Sequence, residues 1–599
     1  MKSEFLPART GAQAPTGSGN NSNPQASLAC APMRSHPHNG TPAPRTGAQI
    51  LVDALKINGA RMAFGVPGES YLAVLDALHD AKSHIPFINC RNEGGAANMA
   101  EAYGKLTGEP GLLFVTRGPG ASNATIGLHT AQQDSTPMIM FIGQVGSDFM
   151  DREAFQEVDY RRVYASMTKW VAQIDRADRM AEYISHAYHT AVSGRPGPVV
   201  LALPEDMLTL TAAVPDCERY KRVAAHPGPA DLRRLREMLA RAERPLVILG
   251  GSGWTEQACA DLRAFVEAND LPVATGFRRA YLYDNRLPNY VGDVGIGINP
   301  ALAARVKSAD LLLVIGSRMG EMASSGYTLL DVPRPRQPLV HVMSGAEELG
   351  RVYQADLPIN SGMPEFAAAL RGLPTIERRP WVEWKEGARA DYEQWLVPGT
   401  MPGALDLGAA VAHLRRRLPA GAIVTNGAGN FSGWVHRFHQ YTGLGTELAP
   451  TSGAMGYGLP AAVAAKLVHP DRIVVSVAGD GDFQMNCQEL GTAMQYGAAV
   501  VHLIVNNGMY GTIRMHQERE YPERVSGTSL ANPDFVALGR AYGLHGEVVE
   551  ATAQFEAALE RALASPTGAV LDLRIDPDAI TTRTTLSAIR AAALKAKSK

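Results

Sequence analysis

The chain has 599 residues, more than one hydrophobic core usually holds, so two to four domains are expected. Its composition, 45% hydrophobic and 19% charged, is that of an ordinary globular protein, and a net charge of −2 gives no electrostatic reason to bind nucleic acid or an anionic membrane. No apolar run approaches the length of a membrane span, and the five scattered cysteines form no CxxC, which argues against disulfides and zinc and for a reducing, cytoplasmic setting.

Residues 1–44 are rich in Gly, Pro, Ser and Asn without a hydrophobic period, and read as a disordered leader. From residue 45 onward, strand-like apolar runs alternate with helix-like patterns and glycine-rich turns, which predicts α/β structure with parallel sheets. Three doubly wound domains are expected, over residues 45–212, 228–373 and 402–580. In the first, strands are expected at 85–89, 112–116, 138–143 and 199–203, with Glu93 opening the helix after the earliest of these. In the second they are expected at 246–249, 311–315 and 339–342, each followed by a Gly or Ser turn. The stretch near 214–229, and another holding Pro374, Pro380, Trp381 and Trp384, read as linkers. The third domain has expected strands at 422–425, 473–477, 500–505 and 569–573. Residues 581–599 form a tail whose end reads as a short amphipathic helix, either a lid over the site or a surface element.

The most informative stretch is IVVSVAGDGDFQMNCQELGTAMQYGAAVVHLIVNNGMYG. One strand is expected to end at Ala478, with Gly479, Asp480 and Gly481 making a turn into a helix. A second strand ends at Asn506 and Asn507. In a βαβ unit both turns emerge at the same carboxyl edge, so Asp480 and Asn507 are expected to be neighbours in space. A carboxylate and an amide carbonyl are hard oxygen donors suited to Mg²⁺, which leaves coordination positions for phosphate oxygens. A helix N-terminus after Gly481 offers N–H groups to the same anion, and Met509 is placed to add a backbone carbonyl.

GDG, 24 intervening residues and NN resemble the fingerprint of thiamin-diphosphate enzymes. That resemblance implies thiamin diphosphate held through Mg²⁺ by Asp480, Asn507 and the Met509 carbonyl, with Gly479, Gly481, Asp482, Asn506 and Gly511 nearby. Asp482 is an acid beside a diphosphate, and either caps the helix or faces away. TSGAMGYGLPAA is similar to the segment that sets an apolar wedge, here Met455, under the thiazolium ring. GAGNFS would bring Gly429, Asn430 and Phe431 to the diphosphate. RNEGGAANMAEAYG resembles the segment whose glutamate, here Glu93, donates a proton to N1′ of the aminopyrimidine. The family sets this glutamate and the metal site on different subunits, which implies a homodimer or homotetramer.

AFQEVD, RPGPVVLALPEDM and TAQQDSTPMIMFIGQV resemble large subunits of acetohydroxyacid (acetolactate) synthases, and the likeness covers residues 47–585. It implies decarboxylation of a 2-oxo acid with carboligation, Gln156 facing the reactive carbon, and it admits a regulatory subunit. Two positions depart from the synthase pattern: Glu69 stands where the synthases have glycine, and His516 where they have tryptophan. Each is either an acid–base group of the site or is satisfied locally, Glu69 by a salt bridge. FAD is left open. GSR at residues 316–318 matches the synthase flavin site, but residues 294–295 and 342–345 do not, and the GGSG turn at 250–253 is an incomplete dinucleotide fingerprint. The alternatives are a thiamin-diphosphate lyase or hydrolase acting on a 2-hydroxy ketone or dione, and a flavin-dependent oxidase. In each the partner expected is a small molecule.

Overall fold

The computed structural model describes residues 42–598, so the leader expected over 1–44 lies outside the described residues up to residue 41. Three six-stranded sheets, parallel throughout, organise the rest. With strands counted along the chain within each sheet, the first and third share the order 2-1-3-4-6-5, and the middle one has the order 3-2-1-4-5-6. An antiparallel pair, Arg45–Thr46 with Thr211–Ala212, closes the first domain's two ends together. Among the described residues no helix is long and apolar enough to cross a membrane.

Helices cover both faces of such sheets, so their central strands are near-continuous apolar runs. Gly111–Val115, Met138–Gln144 and Pro198–Pro204 are buried at every position, as are Leu311–Ile315 and Val474–Gly479. Phe114 and Phe141 stack across the first sheet with ring centroids 4.6 Å apart. The strands expected from apolar runs all form, with ends shifted by a residue or two. Within the three six-stranded sheets seven other strands have no counterpart among the expected ones, among them Ala63–Gly65, Val273–Gly276, Leu357–Asn360 and Glu447–Leu448, because two to five residues hold too little pattern to read.

The stretch around Trp381 and Trp384, expected as a linker, is instead part of the middle domain's packing. Helix Val382–Trp395 lies against that sheet: Tyr392 meets Tyr290 edge to face, and the Trp384 indole N–H donates to the Pro245 carbonyl at 3.1 Å. Trp381 is fully buried and donates to the Asn269 carbonyl at 3.0 Å. The tail forms helix Leu586–Lys597, which packs on helix Gly511–Glu520. Glu518 accepts from both Arg514 and Arg590 at that contact.

Candidate active site

In an open parallel sheet, ligands bind beyond the carboxyl ends of the strands, where neighbouring strands lead off in opposite directions. In the third sheet that point lies between Ile423–Asn426 and Val474–Gly479. The loop 427–431 leaves the first strand, and helix Asp480–Gln484 leaves the second with Gly479 as its N-cap. The helix therefore starts at Asp480, inside the expected turn and ahead of the start expected after Gly481. Strand Val501–Asn506 pairs with Val474–Gly479 on the other side, with Gly479 opposite Val505.

This register brings Asp480 beside the Asn506–Asn507 edge. Asp480 is buried, and its Oδ2 accepts from the Gly508 N–H and from Asn532 Nδ2, both at 2.8 Å. Burial raises its pKa, and the Asn532 hydrogen bond opposes the rise. Asn532 also donates to Asn506 Oδ1 at 2.9 Å, while Asn506 Nδ2 reaches Asp572 at 3.0 Å. Asn507 Oδ1 accepts from the Met509 N–H at 3.2 Å, and Met509 pairs with Ser529 in an isolated bridge. A Cβ on Gly511 would stand 3.1 Å from Asn507 Nδ2, so glycine keeps that approach close. Among the described residues no three His, Cys, Asp or Glu side chains cluster to hold a metal. The oxygen donors at this edge are the Asp480 carboxylate, the side-chain amides of Asn506, Asn507 and Asn532, and the backbone.

Asp482 neither caps its helix nor faces away. Its Oδ1 accepts from the Gly456 N–H at 2.7 Å and the Ala428 N–H at 3.2 Å, so it ties loop 427–431 to the segment holding Met455. Oδ2 is buried without a partner, and burial pushes the carboxyl up to about 7. A Cβ on Gly427 would fall 2.1 Å from this carboxylate, which only glycine avoids. Met455 is half-buried between these contacts. Phe431 fills the space behind Gly479 and Gly429, at 2.8–3.0 Å from where their Cβ atoms would be. Asn430 Nδ2 reaches the Ile580 carbonyl at 3.0 Å and its Oδ1 accepts from Thr512, binding the loop to the helix that bears His516. His516 is exposed on that helix.

The first sheet has its own such point, between Ala63–Gly65 and Gly111–Val115. Glu93 opens helix Glu93–Thr107, with Asn92 as N-cap, and its Oε2 accepts from Asn123 Nδ2 at 2.9 Å. Fully buried Glu489, from the third domain, accepts from the Arg91 and Asn92 N–H groups at 3.0 and 2.9 Å and so pins this helix start. Glu69 follows the first strand of the sheet and pairs with Arg117 Nη2 at 2.8 Å. Gln156 is half-buried with φ of 64°, a left-handed conformation that costs a non-glycine residue, and its carbonyl accepts from the Gly118 N–H at 3.1 Å. Gln156, Glu69, Arg117 and Glu93 therefore share one edge. Glu69 and His516, the two departures, stand on different domains.

The middle sheet's corresponding point lies between Pro245–Leu249 and Leu311–Ile315, where Gly250 and Gly316 pack too tightly for side chains. A cavity of about 1030 Å³ opens there, lined by Arg195, Arg318, His341 and Ser344 and reaching Asn430 and His516. Burial, and then repulsion from Arg195, lower Arg318 to about 10. Arg278 leaves this sheet and donates to the carbonyls of Gly427 and Pro450 on the third domain. Sequence reading missed Asn532, Glu489, Asn123, Arg117 and Arg278. Only the last had a signal, two arginines closing an apolar strand in ATGFRRAY.

Residues 45–163, 232–370 and 427–573 match the N-terminal TPP binding domain, the central domain and the C-terminal TPP binding domain of thiamine pyrophosphate enzymes. The chain is 31% identical to the acetolactate synthase isozyme 2 large subunit of Escherichia coli, over 88% of this chain and 95% of that one. It is 33% identical to the acetolactate synthase large subunit of Parasynechococcus marenigrum, over 89% and 88%. A probable acetolactate synthase large subunit of Methanocaldococcus jannaschii is 30% identical, over 89% and 92%. With three matched domains in order and relatives aligned over nearly their whole length, the chain belongs to the thiamine pyrophosphate enzymes and is a thiamin-diphosphate-dependent enzyme of the acetolactate synthase type.

Proposed function

We propose that the chain decarboxylates a 2-oxo acid and joins the remaining acyl unit to a second carbonyl compound, with Mg²⁺ and thiamin diphosphate held at the third sheet's edge. The observation that supports this most is the Asp480 carboxylate receiving the Gly508 N–H, beside Asn507, at the ends of two adjacent parallel strands. Asp480 Oδ2, Asn507 Oδ1 and the Met509 carbonyl are the kind of hard donors Mg²⁺ takes while keeping sites for phosphate oxygens. The glycines at 427, 479 and 481 let Asp482, Phe431 and Tyr510 pack against the backbone at this edge. When bound, thiamin diphosphate supplies the electron sink that lets a bond beside a carbonyl break.

The chain's own residues do the rest. Glu93, steadied by Asn123, exchanges a proton with the aminopyrimidine ring nitrogen N1′. Met455 supports the thiazolium ring, and Gln156 hydrogen-bonds a substrate carbonyl. Glu93 and Asp480 each sit in a cluster built without the other's side chain, which supports a homodimer as the working unit. For FAD, the middle cavity offers volume, close glycines and the cations Arg195 and Arg318, with Ser344 in its lining. The relatives named as large subunits support looking for a regulatory partner.

The test is pyruvate consumption with acetolactate detection, using purified protein with thiamin diphosphate and Mg²⁺, with and without FAD. Acetolactate formation is the expected result. Cofactor binding without pyruvate consumption would move the reading to another donor, or to cleavage of a hydroxy ketone or dione.

A further inference from the structure

The edge that holds Glu93 contains a cation the proposed reaction has not used. Arg117 is the N-cap residue of helix Gly118–Asp134, two residues past strand Gly111–Val115, and its side chain is only 9% exposed. Across the crevice, Glu69 follows the neighbouring strand Ala63–Gly65. The pair therefore faces itself over the point where the first sheet's strands diverge, which is where such sheets bind ligands. Glu93 lies close by on the same edge: a Cβ on Gly120 would stand 3.3 Å from Glu93 Oε1 and 2.9 Å from Thr116, the residue before Arg117.

A guanidinium has five N–H donors. Among the described residues Arg117 makes one side-chain hydrogen bond, to Glu69 at 2.8 Å, and its Nε is buried without a partner. Glu205 stands 4.0 Å from Nη1, too far for a hydrogen bond. Glu69 is 66% exposed, against 9% for Arg117, so the acid can turn into water while the cation stays fixed. The Arg117 guanidinium also lies 6.0 Å from the ring of Phe155, which is 72% exposed beside Gln156 and offers an apolar wall. A fixed, under-bonded guanidinium with an exchangeable carboxylate partner is a carboxylate site, because its planar fork matches that anion.

Which carboxylate it holds follows from the reaction. A cation gripping the carboxylate that leaves as CO₂ would stabilise the ground state and oppose its loss. We infer that Arg117 binds a second carboxylate, one that stays on the substrate, with Glu69 as the counterion it displaces, so that besides pyruvate the enzyme takes a 2-oxo acid bearing a distal carboxylate. This rests on reading the Glu93 edge as the substrate site.

The experiment is calorimetric titration of the full chain, loaded with thiamin diphosphate and Mg²⁺, with glutarate and with butyrate. These acids differ by one carboxylate, and neither has a 2-oxo group, so binding is read whether or not the protein decarboxylates anything. Glutarate should bind at least about tenfold tighter, since a bidentate Arg–carboxylate pair is charge-assisted. Glu69→Gln should tighten glutarate several-fold by removing the competitor. Arg117→Gln should erase the difference between the acids, and Arg117→Lys should keep part of it; unchanged thiamin diphosphate binding shows that both variants are folded. In turnover, 2-oxoglutarate should then exceed 2-oxobutyrate in kcat/KM. Glutarate binding no better than butyrate, or a preference that survives in Arg117→Gln, overturns the proposal. Glutarate selectivity in a protein that turns over no 2-oxo acid would instead leave the subsite standing and sink the decarboxylase reading.

Discussion

Glu93 and Asp480 are both carboxylates at the carboxyl edges of parallel sheets, yet their neighbours differ. Glu93 has an amide partner, Asn123, and lies on a helix start fastened by Glu489. Asp480 is held by two donors on one oxygen, Gly508 and Asn532. Substituting Glu93 by Gln keeps the shape and the Asn123 contact but removes the exchangeable proton. Turnover should fall by about 10²–10⁴, the usual worth of general acid–base catalysis, with cofactor affinity nearly unchanged. Asp480→Ala should do the reverse and abolish the Mg²⁺ dependence of cofactor binding. Asn532→Ala, which only loosens the support of Asp480, should weaken that binding by about 10–100-fold, as losing an outer-shell partner of a metal ligand does. Titration of thiamin diphosphate at several Mg²⁺ concentrations separates the three. A Glu93→Gln enzyme at full speed would remove Glu93 from the chemistry.

At the scale of elements, the sequence made the long buried strands and the two ends of the GDG–NN unit legible, because continuous apolar runs between glycine turns have few other readings. The short edge strands were not legible, and neither was helix Val382–Trp395, whose prolines and tryptophans suggested a linker until packing against the middle sheet decided otherwise. Asp482 was hidden for a similar reason. Its contacts are to backbone N–H groups 54 and 26 positions away, and no side-chain pattern announces those. The tail helix Leu586–Lys597 was legible as a helix, but its docking depends on Glu518, whose side chain is 1% exposed between Arg514 and Arg590. The Arg590 hydrogen bonds hold this carboxyl down to about 2, against the opposing effect of burial. A depressed carboxylate contributes stability that is complete above its unfolded pKa, about 4.3, and is lost as pH falls through the folded value. The helix should therefore stay docked at pH 5 and release between about pH 4 and pH 2. Arg590→Ala should release it at neutral pH at a cost of about 1–2 kcal/mol, reduced from a buried value because Arg590 is 34% exposed. Hydrogen exchange over residues 586–597 reads both effects, and equal protection in the variant would show that apolar contacts around Met515 and Ile580 hold the helix alone.

One buried group of charges joins all three domains. Glu101 and Lys105 lie on helix Glu93–Thr107, Asp134 ends helix Gly118–Asp134, and Arg279 comes from the middle domain. Lys105 reaches Glu101 at 3.1 Å and Asp134 at 3.5 Å, and Arg279 donates to Asp134 at 2.9 Å. The third domain adds the Tyr457 hydroxyl on Glu101 at 2.6 Å and the Thr451 N–H on Asp134 at 3.0 Å, from the segment that also holds Met455. Two anions meet two cations, so the group is balanced, and removing one member leaves a buried charge unpaired. Breaking such a group typically costs about 3–5 kcal/mol, whereas replacing a whole pair by apolar side chains can be neutral. Lys105→Met should therefore destabilise the protein by about that amount at pH 7, while Lys105→Met combined with Glu101→Gln should recover part of it. The pH dependence gives the sign. Asp134 is held below its ordinary value by Lys105 and Arg279 against burial, so its contribution is present above the unfolded pKa and lost as pH falls. Without Lys105 that support weakens, and protonation relieves the unpaired carboxylate earlier. The stability gap between variant and parent should therefore narrow as pH falls from 7 towards 4. Thermal unfolding across that range measures it, with thiamin diphosphate affinity as a second readout, because Thr451 and Tyr457 flank the Met455 turn. A gap that is constant with pH would mean that Lys105 stabilises through its ammonium over the Tyr457 ring rather than through Asp134.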